Sequence, residues 1–122
     1  MSDGITKKVL IVEDDEFLRS LTAKRLEKEN YQIVIAADGE QALAMIGTEK
    51  PDLVLLDLLL PGVNGFEVLE KMQKSMPVVV FSNLGQREDI ERAEKLGADD
   101  FLIKANFTLD DVVAKVKGYL SK

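Results

Sequence analysis

Short apolar runs alternate along this chain with longer stretches whose apolar positions recur at helical spacing. The first run, Val9-Leu10-Ile11-Val12, is too short for a helix and ends on Glu13-Asp14-Asp15. Acidic residues suit a helix N-terminus, where they meet the positive end of the aligned peptide dipoles. Leu18, Leu21 and Leu26 then share one side of a helix expected to end near Glu29-Asn30. Tyr31 to Ala36 is rich in β-branched residues and reads as a second strand. Asp38-Gly39 starts a short helix with Ala42, Leu43 and Ile46 on one face, and Gly47 is expected to close it.

Pro51-Asp52 breaks the chain before Leu53-Val54-Leu55-Leu56, a third strand that runs into Asp57. Beyond a loop containing Pro61, Gly62 and Gly65, the apolar residues Phe66, Leu69 and Met72 mark a third helix. Pro77 opens a fourth strand, Val78 to Phe81, that ends on Ser82. Gln86 to Leu96 predicts a charged helix with Ile90, Ala93 and Leu96 as its few apolar positions, capped by Gly97. Phe101-Leu102-Ile103 is a fifth strand ending on Lys104. In the last helix Leu109, Val112, Val113, Val116 and Leu120 form one apolar stripe.

Strands one, three, four and five carry apolar residues at successive positions, as interior strands of a parallel sheet do when helices cover both faces. Parallel strands need helical crossovers of one hand. Five strand–helix units with short connections therefore predict an α/β fold, a doubly wound five-stranded parallel sheet with helices on both faces. Ligands of such sheets bind beyond the carboxyl ends of the strands.

Composition narrows what those ends can do. The 122 residues suit one domain, taken as 1–122, and 46% apolar with 31% charged residues is the balance of a folded chain. No apolar run is long enough to span a bilayer, and Met-Ser-Asp-Gly lacks a secretory pattern, so membrane insertion is not expected and the cytoplasm is the expected compartment. A net charge of −6 argues against direct nucleic-acid binding. Cysteine is absent, which excludes disulfides and thiolate metal sites. Histidine is absent too, so catalysis must rest on carboxylates, Lys, Ser or a hard metal ion, and any phosphohistidine donor belongs to another protein.

The strand ends deliver Glu13 and Asp14, then Asp57, Ser82 and Lys104. Taken singly, an acidic pair after a strand is most often a solvated helix start, a strand-end Asp a turn residue, Ser82 an N-cap and Lys104 a surface charge. Their joint placement changes that balance. Three converging carboxylates repel one another, and a divalent cation relieves the conflict; all-oxygen ligation suits Mg2+. Asp57 can act as a nucleophile and form an acyl phosphate, with Lys104 and Ser82 contacting phosphoryl oxygens. Glu88-Asp89 and Asp110-Asp111 are expected on solvated helix surface, and Phe66 and Met72 in the core.

These residues resemble the receiver domain of bacterial two-component response regulators (the CheY-like superfamily). Val9 to Asp15 is similar to that family's first strand and acidic pair. Leu53 to Gly65 resembles its acceptor strand and following loop, Val80-Phe81-Ser82 its Ser/Thr position, and Phe101 to Lys104 its aromatic switch position and lysine. The similarity runs from Lys8 to Leu120. It implies a flavodoxin-like strand order, 2-1-3-4-5, and makes Asp57 the phosphoacceptor. It also implies a metal held by Asp14, Asp57 and the backbone carbonyl of Leu59, with Glu13 acting through water. Ser82 and Phe101 would rearrange together, altering the face made by the fourth helix, fifth strand and fifth helix.

The implied function is a phosphorylation-dependent signalling switch, not an enzyme acting on a separate substrate pool, although it would assist its own phosphorylation and dephosphorylation. The implied partners are a histidine kinase or phosphotransfer protein, an unknown downstream protein target and, on phosphorylation, a second copy of the chain. Three other readings are a pseudo-receiver that binds partners without phosphorylation, a haloacid dehalogenase-like phosphatase, and a nucleotide- or flavin-binding domain. The phosphatase type places its nucleophile on the first strand with a second Asp two positions on, whereas position 59 is Leu; no Gly-rich phosphate loop follows the first strand. Three departures from the family pattern stand out. Ala105 follows Lys104 in place of a proline with a cis bond, so that peptide is either trans with a shifted Lys104 or cis under strain. Asn83 follows Ser82 in place of a small residue. The Asp57 to Ser82 segment is short, which implies a trimmed third helix or loop. The chain is either a stand-alone receiver or part of a longer regulator.

Overall fold

In the computed structural model, which describes residues 6–121, the chain alternates strand and helix throughout: β1 (Lys8–Val12), α1 (Glu16–Glu27), β2 (Gln32–Ala36), α2 (Gly39–Glu49), β3 (Leu53–Leu56), α3 (Gly65–Lys71), β4 (Val78–Ser82), α4 (Arg87–Lys95), β5 (Asp100–Ile103) and α5 (Leu109–Leu120). Residues 1–5, which include the Met-Ser-Asp-Gly start, and Lys122 lie outside the described residues. The five strands form one sheet in the order β2-β1-β3-β4-β5, with the four neighbouring pairs all parallel.

Alternation along the central strands divides the core in two. Leu10, Val12, Val54, Leu56, Val78 and Val80 pack with α2, α3 and α4 on one face. Val9, Ile11, Leu53, Leu55, Val79 and Phe81 pack with α1 and α5 on the other, and the stripe Val112, Val113, Val116 and Leu120 is buried there. Successive strand side chains point to opposite faces, so burial on both sides requires an unbroken apolar run.

Polar side chains set the helix starts. Asp15 caps α1 by accepting from the Leu18 N–H at 3.0 Å, and Asp38 caps α2 through Gln41 at 2.8 Å. Asn64 with Glu67, and Thr108 with Asp111, form capping boxes at α3 and α5. Asp111 thus serves as a cap partner rather than as plain solvated surface, and Asp110 pairs with Arg25 of α1.

Four expectations need correction. β5 is an edge strand, not an interior one: only β4 pairs with it, and Leu102 is its one buried residue among Asp100–Ile103. Leu21 is 38% exposed, so α1 buries Leu26 and partly Leu18 without it. Gly47 does not close α2, which continues to Glu49 and ends on Lys50 in the left-handed region (φ 47°, ψ 60°). Tyr31 lies just outside β2. The shortened third helix is real, at seven residues.

Candidate functional site

Sheet register builds the site. Val12 pairs with Leu56, so Glu13 and Asp57, each one residue further on, leave adjacent strands at the same level and on the α1/α5 face. Leu56 pairs with Val80 and Ser82 with Ile103, which puts Asp14 and Ser82 one step further out and Lys104 just beyond Ile103. Glu13 and Asp57 are 4% and 5% exposed, Ser82 is fully buried, and Asp14 is exposed. Carboxylate oxygens of Glu13, Asp14 and Asp57 lie within 4.8 Å of one another.

Lys104 bridges the two buried carboxylates. Its Nζ donates to Glu13 Oε1 at 2.6 Å and to Asp57 Oδ2 at 2.8 Å, and it sits 5.7 Å from the Phe81 ring centroid. No cis peptide bond occurs among the described residues, so the Lys104–Ala105 bond is trans. A single 3-10 turn, Lys104–Asn106, follows β5, and the ammonium still reaches both acids.

The remaining carboxylate oxygens are held by backbone. Asp57 Oδ1 accepts from the Leu59 N–H at 3.1 Å, and Glu13 Oε2 from the Asp15 N–H at 3.2 Å. Behind Asp57, the Gly65 N–H donates to the Leu58 carbonyl at 3.0 Å. A Cβ at Gly65 would lie 2.5 Å from the Asp57 carbonyl oxygen and 2.5 Å from Leu58 Cα, so only glycine permits this approach of α3 to the acceptor loop. Ser82 Oγ accepts from the Leu84 N–H at 3.3 Å, while Asn83 is exposed.

Burial raises the Glu13 carboxyl above the usual carboxylate range, and Asp57 beside it adds to that; the Lys104 contact works against it. For Lys104 burial pulls downward, but hydrogen bonds and charge attraction from Asp57 and Glu13 outweigh it and leave its pKa raised. One ammonium among three carboxylates leaves negative charge uncompensated, and every donor in the cluster is a hard oxygen. That donor set fits a small divalent cation.

Four of the five predicted strand-end residues, Glu13, Asp14, Asp57 and Lys104, thus cluster together, and the sheet register places Ser82 at the same edge. Phe101 is half-buried and packs against the α2/α3/α4 side of the core, whereas Ser82 is fully enclosed. Sequence reasoning missed Arg19, whose guanidinium donates to the Glu13 carbonyl at 2.9 Å and braces the acidic turn. It also missed Phe17, an apolar residue next to the site in sequence that is 75% exposed; the side chain of Leu59, named for its carbonyl, is 49% exposed. Nothing in the spacing of Arg19 distinguishes it from an ordinary charged helix position.

Fold and pocket together define an α/β domain with acidic, hydroxyl and ammonium groups gathered beyond the carboxyl ends of parallel strands. A model of the response regulator receiver domain matches residues 9–117, and the chain belongs to that family. It is 38% identical over 121 residues to the alkaline phosphatase synthesis transcriptional regulatory protein PhoP of Bacillus subtilis, covering 97% of this chain and 50% of that protein. It is 37% identical over 119 residues to sporulation initiation phosphotransferase F of the same organism, covering 95% of each. The chain therefore spans about half of the first relative and nearly all of the second. Among solved structures, a CheY-like receiver domain protein from Methanospirillum hungatei superposes with TM-score 0.90 at 32% identity, covering 96% of this chain and 95% of that one. The BeF3-activated receiver domain of Klebsiella pneumoniae RstA gives TM-score 0.88 at 30% identity, covering 95% of this chain and 100% of that one. The chain is thus a signalling domain of the two-component response regulator type. Among the described residues no helix is long and apolar enough to cross a membrane.

Proposed function

We propose that Asp57 accepts a phosphoryl group from the phosphohistidine of a histidine kinase or phosphotransfer protein, and that the change switches a protein-binding face. The observation that carries this reading is the Lys104 ammonium held between Asp57 and Glu13, with Asp14 completing the acidic cluster. An Asp57 carboxylate oxygen attacks the donor phosphorus, a P–O bond forms as the P–N bond breaks, and the electron pair leaves with the donor imidazole. Lys104 follows the transferred group by contact with one of its oxygens, and the Ser82 hydroxyl donates to another. Asp14, Asp57 and the Leu59 carbonyl, with Glu13 through water, would hold Mg2+, and the ion would supply neutralisation of the phosphoryl charge.

As Ser82 is recruited to the phosphoryl group, the half-buried Phe101 rearranges with it, and the face formed by α4, β5 and α5 changes. To work as a switch, phosphorylation must favour the altered arrangement by a few kcal/mol. Hydrolysis of the acyl phosphate by water returns Asp57 and ends the signal. The reader of the altered face is a downstream protein or a second copy of the chain, and the cytoplasm is the compartment in which such a relay operates.

Incubation with acetyl phosphate and Mg2+ followed by intact-mass measurement tests the proposal. The expected result is a gain of one phosphoryl group by the wild type, none by Asp57→Asn, and none with a chelator in excess. Equal uptake by Asp57→Asn would overturn the acceptor assignment.

A further inference from the structure

Helix α3 ends early, and its shortness leaves a groove at the end of the molecule remote from Asp57. Seven residues form α3 and eleven form α2, the helix it packs against. At 1.5 Å per residue the two differ by about 6 Å. Met72 is already extended (φ −73°, ψ 148°), so the chain turns away where a further turn of α3 would cover the last turn of α2. Between them lies a cavity of about 530 Å³, within the range of small-molecule sites. Leu43, Ile46, Met72 and Met76 line it with apolar surface, and Lys50 and Lys71 supply its charge.

Two features define what fits. The floor is recessed: Ile46, Met72 and Met76 are only 7%, 9% and 8% exposed, so a slim chain or ring can reach them while a flat protein face cannot. The charge is of one sign. Among the described residues no carboxylate lines the groove, although the whole chain carries −6. Lys50 has no ion-pair partner among the described residues, and Lys71 makes one long ion pair, with Glu67 at 4.0 Å.

We propose that this groove binds a small amphipathic anion, with an apolar chain or ring on the Leu43, Ile46, Met72 and Met76 floor and a carboxylate-type head held by Lys50 and Lys71. Burial of the apolar part drives binding, and the two ammonium groups select the sign of the head. The groove adjoins Pro51 and Met76, near the amino ends of β3 and β4, whereas Asp57 and Ser82 stand at their carboxyl ends. Binding is therefore separable from phosphoryl transfer.

Gly47 supplies a clean test, because it lines the groove and a Cβ built there would meet no atom within 4 Å. Gly47→Leu adds an apolar side chain at the groove wall without a clash at Cβ, and its higher helix propensity favours the fold. Octanoate titrated into the full chain, followed by backbone amide NMR, is expected to give saturable shifts at Ile46, Gly47, Lys50, Met72 and Met76. Octylammonium, and octanoate with the Lys50→Gln/Lys71→Gln variant, should bind about tenfold more weakly, the loss expected from two modest ion pairs. Gly47→Leu should abolish the shifts while keeping its folded amide spectrum. Absence of saturable shifts at these amides, equal binding of octylammonium, or full binding by Gly47→Leu would overturn the proposal.

Discussion

With its ammonium 2.6 Å from Glu13 and 2.8 Å from Asp57, Lys104 is the counter-charge that lets two buried carboxylates sit side by side. Removing one partner of a buried pair leaves the other charge desolvated, which costs more than the pair contributes. Lys104→Met keeps most of the side-chain volume and removes the charge. Urea denaturation should show a loss of about 2 kcal/mol, below the full buried-pair cost because exposed Asp14 keeps the cluster close to water. Millimolar Mg2+ should restore part of that loss, since Glu13, Asp14 and Asp57 would then have a different counter-charge; an unchanged urea midpoint without Mg2+ would contradict this account. At this scale the sequence was highly informative. Each of Glu13, Asp57, Ser82 and Lys104 ends an apolar run, and parallel register brings such ends together. Arg19 was not legible, because its bond to the Glu13 carbonyl depends on how α1 leaves β1.

Among the elements, α2 shows a local rule overridden. Gly47 looked like the stop, but the helix runs on to Glu49, and Lys50 takes a left-handed conformation that costs a non-glycine residue free energy. Lys50→Gly should relieve that strain and raise stability by about 1 kcal/mol, read as a higher urea midpoint at unchanged slope. A lower midpoint would mean that the Lys50 side chain contributes more than its backbone strain costs. The apolar run of β5 misled in a similar way. Its residues are as apolar as those of an interior strand, yet it lies at the sheet edge and buries only Leu102 fully.

Across the whole molecule, alkaline titration reports how well the fold shields its protons. Burial raises Tyr31 and Tyr119, with Asp100 adding to the second, and the hydrogen bond to Glu29 raises Lys117. The folded chain thus holds these protons to higher pH than the unfolded chain does. Their contribution is fully present below the ordinary values of 10.0 for tyrosine and 10.5 for lysine, and is lost as pH rises through the raised ones. Stability measured by urea from about pH 9 to about pH 11 should therefore fall, and Tyr119→Phe should make the fall shallower. Equal slopes in the two proteins would remove Tyr119 from the account. The Tyr119 hydroxyl lies 3.1 Å from the Asp99 carbonyl and 3.2 Å from Asp100 Oδ2, tying α5 to the start of β5.

Periodicity, run length and caps were enough to specify five strand–helix units, a parallel doubly wound sheet and the residues at its carboxyl edge. Those properties follow from local rules: alternation in strands, helical spacing of apolar residues, and polar side chains that satisfy helix ends. Other features depended on which elements became neighbours. Leu21 is apolar yet 38% exposed, and β5, equally apolar in its run, pairs among the described residues with β4 alone. The groove between α2 and α3 arises because one helix outlasts the other. Burial is a property of pairs of surfaces, and one chain segment contains only one of the two.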